Sequence, residues 1–132
     1  MTQLALSTLG ETLQYVARAN PERRAVVFPD SATTYADLLQ AVERTARALI
    51  ALGVQPGCTV GLWLPNCVEW IICNFAVASI GAISVPINMR YRREEIGYIL
   101  RQADLHTLIM TDRVQSTDYV ALLTQVCPVA GS

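Results

Sequence analysis

The stretch that most limits what this chain can fold into runs from Val60 to Asn88. It reads Val60-Gly61-Leu62-Trp63-Leu64-Pro65-Asn66, then an apolar run to Ile80, then Gly81-Ala82-Ile83-Ser84-Val85-Pro86-Ile87-Asn88. Two short β-rich runs flank a segment of helix length, and Pro65-Asn66 and Gly81 mark the joins. That is the spacing of a βαβ unit, in which a helix carries the chain from one strand to a parallel neighbour. Parallel strands are covered on both faces, so they read as continuously apolar rather than alternating. The middle segment has a single charge, Glu69, among Cys67, Val68, Trp70, Ile71, Ile72, Cys73, Phe75, Ala76, Val77 and Ile80. A helix apolar nearly all round is expected to be buried on more than one side. Ile72 is placed in that core, where an aspartate would cost several kcal/mol.

The rest of the chain extends the α/β pattern. Thr8 to Asn20 reads as a helix: Thr8 and Glu11 have capping-box spacing, Leu9, Leu13 and Val16 share a face, and Asn20-Pro21 ends it. Ala25–Phe28 reads as a strand, Pro29–Ala32 as a turn and Thr33–Tyr35 as a returning strand, giving a short N-terminal hairpin. Tyr35 to Leu52 is the clearest helix. Its stripe is Leu38, Leu39, Val42, Ala46, Leu49 and Ile50, a Glu43–Arg47 pair spans one turn, and Gly53 follows as a C′ residue. Val54-Gln55-Pro56-Gly57 turns the chain into the strand Val60–Leu64. After a polar loop from Asn88 to Arg92, a helix is expected over Arg93–Ala103 with Ile96, Ile99 and Leu100 inward. A third parallel strand follows over Leu105–Thr111, and a last helix over Asp118–Val126. Val129-Ala130-Gly131-Ser132 closes nothing. The fold class is α/β: a three-layer parallel-sheet subdomain with helices on both faces. Residues 1–132 read as one piece, since no repeat or linker divides them.

Composition narrows the function classes. The 132 residues carry a net charge of −1, which gives no general attraction to nucleic acid. They are 52% hydrophobic and only 16% charged, which points to surface meant to be covered by more protein, by a partner or by lipid. Cys58, Cys67, Cys73 and Cys127 form no C-x-x-C, and His106 is the one histidine, so the ligand spacing of a zinc site is missing. Met1–Gly10 has neither a basic start nor a long apolar core, so a secretory leader is not expected. A reduced, cytoplasmic protein is the expectation. The uncharged run Trp70–Ile87 passes a crude hydropathy test for a membrane span, but Asn74, Gly81 and Pro86 split it into pieces too short to cross.

In open parallel sheets, ligands bind beyond the carboxyl ends of the strands. Those ends carry Pro65-Asn66, Pro86-Ile87-Asn88 and Thr111-Asp112. Asn66 and Asp112 are residue types that cap helices and shape turns, and that role is preferred to ligand binding. His106 has no nucleophile partner to make it a general base. Adjacent Glu94 and Glu95 do not form a paired-carboxylate site; acids suit the first turn of a helix. Arg90, Arg92 and Arg93 could meet a phosphate, but they stand beside those acids as a solvated face. Cys67 and Cys73 read as small core hydrophobes. Neither G-x-G-x-x-G nor G-x-x-x-x-G-K-[ST] occurs.

The order of motifs carries more. It runs Thr34-Tyr35-Ala36-Asp37-Leu38, Ala48-Leu49, Leu52-Gly53-Val54-Gln55-Pro56-Gly57, Val60–Asn66, Gly81-Ala82 with Val85-Pro86-Ile87-Asn88, and Glu95-Ile96 to Leu100. From about Leu9 to Val126 the chain resembles the N-terminal portion of the adenylate-forming (AMP-binding) acyl-CoA synthetase superfamily, most nearly the fatty-acyl-CoA ligases. The resemblance implies that the chain is incomplete relative to the family's full N-terminal domain. It implies a longer parent that activates a carboxylic acid with Mg-ATP to an acyl-adenylate and passes the acyl group to CoA. The family's phosphate loop, its adenine- and magnesium-contacting segment, its ribose-binding Asp and its C-terminal catalytic Lys have no counterpart here. Hence no residue is assigned a catalytic, cofactor-binding or metal role, and the chain alone is expected to be inactive. The alternative is a free-standing, non-enzymatic interaction or oligomerisation module built on the same fold. Two departures from the family pattern are Cys58, where an Asp is common, and Gly97 inside a helix, which costs up to ~1 kcal/mol relative to Ala.

Overall fold

The computed structural model describes residues 8–127. The expectations for most of Met1–Gly10 and for Val129–Ser132 lie outside those residues. In chain order the elements are α1 (Leu9–Ala19), β1 (Arg24–Phe28), β2 (Ser31–Thr34), α2 (Tyr35–Ala51), β3 (Thr59–Trp63), α3 (Val68–Ser79), β4 (Ile83–Pro86), α4 (Arg93–Gln102), β5 (Thr107–Met110), β6 (Arg113–Val114), β7 (Thr117–Asp118) and α5 (Tyr119–Val126).

The expected βαβ unit is β3-α3-β4, and β5 pairs in parallel on the other side of β3, giving the strand order β4-β3-β5. β3 is therefore the interior strand, and its side chains alternate between two cores. Val60 and Leu62 enter one core, with Leu13 of α1, Leu38, Val42 and Leu49 of α2, and Ala76 and Val77 of α3. Trp63 enters the other, with Ile87, Ile96 of α4 and Tyr119 of α5. Val60, Leu62 and Trp63 are fully buried. The sheet thus has helices on both faces, as its continuously apolar strands require.

Gly61 shows how tightly the second layer sits. A Cβ there would lie 2.7 Å from Leu105 Cδ1, 3.0 Å from Leu108 Cδ1 and 3.1 Å from Ile87 Cδ1. Only the missing side chain lets those three residues close over the strand.

Local chemistry sets the helix ends. Thr8 Oγ1 accepts from Glu11 N at 3.1 Å, and Thr34 Oγ1 accepts from Asp37 N at 3.2 Å, each removing an unpaired donor of a first turn. Asp118 Oδ1 does the same for Ala121 N at 2.9 Å. Gly53, at φ +93°, ends α2 in the left-handed region.

Several expectations are corrected. The hairpin turn is only Pro29-Asp30, because Ser31 already pairs with Phe28; Tyr35 belongs to the helix, not to the strand. Ile50 is 58% exposed and Leu9 54% exposed, so neither joins the stripe to which spacing assigned it. Glu43 and Arg47 form no ion pair: Arg113–Asp118, at 2.9 Å, is the only one among the described residues. In α3 only Ala76 and Val77 are buried; Trp70, Ile71, Ile72, Cys73 and Phe75 are partly covered. Ile72 is therefore at the margin of the core, not in its centre. No helix among the described residues is long and apolar enough to cross a membrane.

The two buried glycines should respond oppositely to alanine. At Gly97 a Cβ would meet Arg101 Nη1 at 3.1 Å, the movable end of a flexible side chain, and Val126 Cγ1 at 3.5 Å. Gly97→Ala is expected to stabilise by about 0.5–1 kcal/mol through helix propensity. Gly61→Ala is expected to destabilise by about 1–3 kcal/mol through overpacking. Thermal melts of both variants, followed by circular dichroism, test the pair; a lower melting temperature for Gly97→Ala would contradict the packing described.

Candidate functional site

The carboxyl ends of β3, β4 and β5 lie side by side and deliver three loops to one edge of the sheet. These are Leu64–Cys67, Ile87–Arg92 and Thr111-Asp112. Tyr119, at the start of α5, ties the second and third of these loops to the end of β3. Its backbone N donates to Asp112 O at 2.8 Å, and its hydroxyl donates to Met89 O at 3.0 Å. Its ring stands edge-to-face with Trp63, centroids 4.9 Å apart and planes at 85°. Such a pair adds about 0.5–1.5 kcal/mol beyond burial. The Trp63 indole N–H is buried with no hydrogen-bond acceptor among the described residues. Sequence reading missed Tyr119; an aromatic directly after an N-cap aspartate was the available signal.

The polar groups of this edge are largely engaged with their own backbone. Asn88 Oδ1 accepts from Arg90 N at 2.9 Å, and Asp112 Oδ1 accepts from Arg113 N at 2.7 Å; both are turn-forming contacts. Arg92 spends its guanidinium on the carbonyls of Met89 and Tyr91, both at 3.0 Å. Glu95 reaches back to accept from Arg92 N at 3.1 Å. Asn66 is exposed and precedes Cys67, which occupies the N-cap of α3 without a side-chain bond. The expected preference for turns and caps is met at Asp112, whereas Asn66 is not the cap. On the sheet's flank, Ser84 Oγ donates to Asn74 Oδ1 at 2.8 Å and ties β4 to α3.

The remaining candidates lie apart from this edge. His106 is exposed before β5, at the opposite end of the strand, with Nδ1 2.8 Å from Thr107 Oγ1. Arg90, Arg93 and Glu94 are exposed on the loop and on the first turn of α4. Burial pushes the Cys67 and Cys73 thiols up, and the Glu69 carboxylate adds to this in both. A raised thiol is a poor nucleophile at neutral pH. The four cysteines are free. No group of three metal-ligating side chains is found among the described residues.

A parallel sheet covered on both faces, with its loops collected beyond the strands' carboxyl ends, defines an α/β subdomain. The sequence matches the family described as AMP-binding enzyme over residues 13–131. The chain belongs to that family. A protein of Bacillus subtilis (strain 168), YngI, named as an acyl-CoA synthetase, is 37% identical over 130 residues, which is 97% of this chain and 24% of that protein. The mitochondrial medium-chain acyl-CoA ligase ACSF2 of Danio rerio is 34% identical over 95% of this chain and 21% of its own length. The N-terminal domain of FACL13 from Mycobacterium tuberculosis superposes with a TM-score of 0.77 at 34% identity, over 80% of this chain and 27% of that one. The anthranilate CoA ligase AuaEII superposes with a TM-score of 0.84 at 25% identity, over 96% of this chain and 23% of that one. The chain thus spans about a quarter of the length of the curated relatives it matches.

The Glu95 carboxyl is held below the usual range, first by its own backbone N–H and then by that of Arg92. A group with a depressed folded-state pKa contributes stability above its unfolded value, and loses it as pH falls through the folded one. Acidification should therefore release the start of α4. Glu95→Gln should melt with a shallower pH dependence across the acid range than the parent chain. Equal slopes in thermal melts at matched pH would remove this cap from the account.

Proposed function

We propose that this chain is the N-terminal structural part of an ATP-dependent acyl-CoA synthetase. The complete protein would convert a carboxylic, most naturally fatty, acid with ATP and CoA into acyl-CoA, AMP and pyrophosphate, with magnesium on the nucleotide. The relatives that carry acyl-CoA synthetase and ligase names support this reading. One observation supports the scaffold reading: Asn88, Arg92, Glu95 and Asp112, at the carboxyl edge, are bonded to backbone of their own turns. A catalytic edge needs polar groups aimed at a reacting atom. This one is built to shape loops, so we assign it no catalytic, cofactor-binding or metal residue. The four free thiols suit a reducing, cytoplasmic compartment.

The chain serves as scaffold: β3 and its two helical layers fix the positions of three loops onto which the rest of the large domain is added. The experiment is ATP–pyrophosphate exchange with a panel of short-, medium- and long-chain acids. The purified 132-residue chain should give no exchange above a protein-free control. Acid-dependent exchange by the chain alone would overturn the scaffold reading.

A free-standing interaction module is the second reading. It is favoured by exposed large apolar side chains, among them Leu52 at 71% and Val27 at 64%. Light scattering across a concentration series separates the two: a monomer at every concentration counts against self-association.

A further inference from the structure

The amino ends of the strands form a second pole, at the far end of the sheet from the three loops. Between Arg47 and Arg90 the chain carries a single charge, Glu69. That residue lies in the first turn of α3, beyond the carboxyl end of β3. The segments of α2, α3, β3 and β4 that meet at the amino pole are therefore free of charge.

Backbone bonds hold those segments together. Gly57 N donates to Gly81 O at 2.9 Å, and Ile83 N donates to Cys58 O at 2.8 Å. The turn after α2 is thereby fixed against the end of α3 and the start of β4. Ile50, Leu52 and Ile83 are large aliphatic residues left exposed on these segments, with Pro56 and Gly57 exposed between them. A helix C-terminus that faces water favours a basic residue in its last turn. Both α2 and α3 end at this pole, and neither has one.

Charge appears only at the margins. Arg47 stands on α2, in one helical layer. Asp104 and His106 lie on the connection from α4, in the other layer, where Thr59 Oγ1 donates to Asp104 O at 2.7 Å and His106 N donates to Thr59 O at 2.9 Å. Arg47 and Asp104 are exposed, and neither takes part in an ion pair among the described residues. Interface centres are depleted of charge and ringed by polar groups. In a two-fold pair each patch meets itself, so a charge at its centre would face its own image. A membrane surface calls instead for a cationic rim around the apolar residues, and here Asp104 offsets Arg47.

We infer that the amino pole is a self-association surface whose occupant is a second copy of this chain. The two-fold axis brings Leu52 and Ile83 of the two copies together and sets Arg47 of one copy against Asp104 of the other. The inference rests on the reading of the chain as an interaction module, and it gives that reading a place on the molecule.

The test is sedimentation velocity under reducing conditions, over a concentration series. A dimer should form as concentration rises. Leu52→Glu and Ile83→Glu, each checked for an intact fold by circular dichroism, should weaken it at least about tenfold. Tyr98→Glu, at an exposed position midway along α4, should leave it unchanged. Arg47→Asp should weaken the dimer by setting two carboxylates against each other. Adding Asp104→Asn, which suits the left-handed backbone there at φ +48°, should recover part of that loss; a double variant no better than Arg47→Asp overturns the pairing. A dimer indifferent to Leu52→Glu and Ile83→Glu overturns the inference but keeps the interaction-module reading, because the chain then pairs elsewhere. A monomer at every concentration removes both. Binding of the monomer to phosphatidylglycerol vesicles, lost in Leu52→Glu, also overturns the inference and assigns the pole to a membrane.

Discussion

The two-sided burial of β3 is the constraint on which the other contacts rest. Val60 and Leu62 turn to the α1–α3 layer and Trp63 to the α4–α5 layer, all three without solvent exposure. Burying large apolar side chains such as these contributes about 1.5–3 kcal/mol each. The benefit needs both layers, because each layer covers only alternate residues of the strand. Gly61 adds a steric condition: the second layer closes only where no Cβ stands between the strand and Leu105. An α/β subdomain of this size has little stability to spare, and the four buried residues Val60 to Trp63 are where a substitution draws on it most.

From that strand the carboxyl edge follows. Three parallel strands end together and must hand the chain to loops, whose backbone groups need partners. Asn88, Asp112, Arg92 and Glu95 provide them from within the same turns, and Tyr119 ties two loops to the end of β3. The result is a shaped platform on which Asn88, Arg92, Glu95 and Asp112 bond to backbone of their own turns.

Much of this was readable because local rules and tertiary packing agree. Thr8, Thr34 and Asp118 are good N-caps and act as such. The Val60–Asn88 run has strand–helix–strand spacing and folds that way. The misses have physical causes. Spacing assigned Ile50 and Leu9 to apolar stripes, but periodicity gives a face and not the extent of its cover. The two-residue strands β6 and β7 escaped notice because Arg113, Val114, Thr117 and Asp118 show no alternation long enough to read. Gln115, at φ +53°, takes a left-handed turn that glutamine does not advertise. The Trp63–Tyr119 contact joins residues far apart in sequence and left no local signature. For the site, sequence reading rightly preferred turn chemistry at Asp112, and it missed Tyr119, whose one signal was its place directly after the N-cap Asp118.

The central claim is that both helical layers depend on one strand, and native-state hydrogen exchange across a denaturant series tests it most directly. The amides of Val60 to Trp63 should be the slowest in the chain. They should open only in the global transition, at the same free energy as the core amides of α2 and α4. If the α4–α5 layer instead opens in a separate, lower transition while β3 and α1–α3 remain protected, the two layers do not share a keystone, and the account is contradicted.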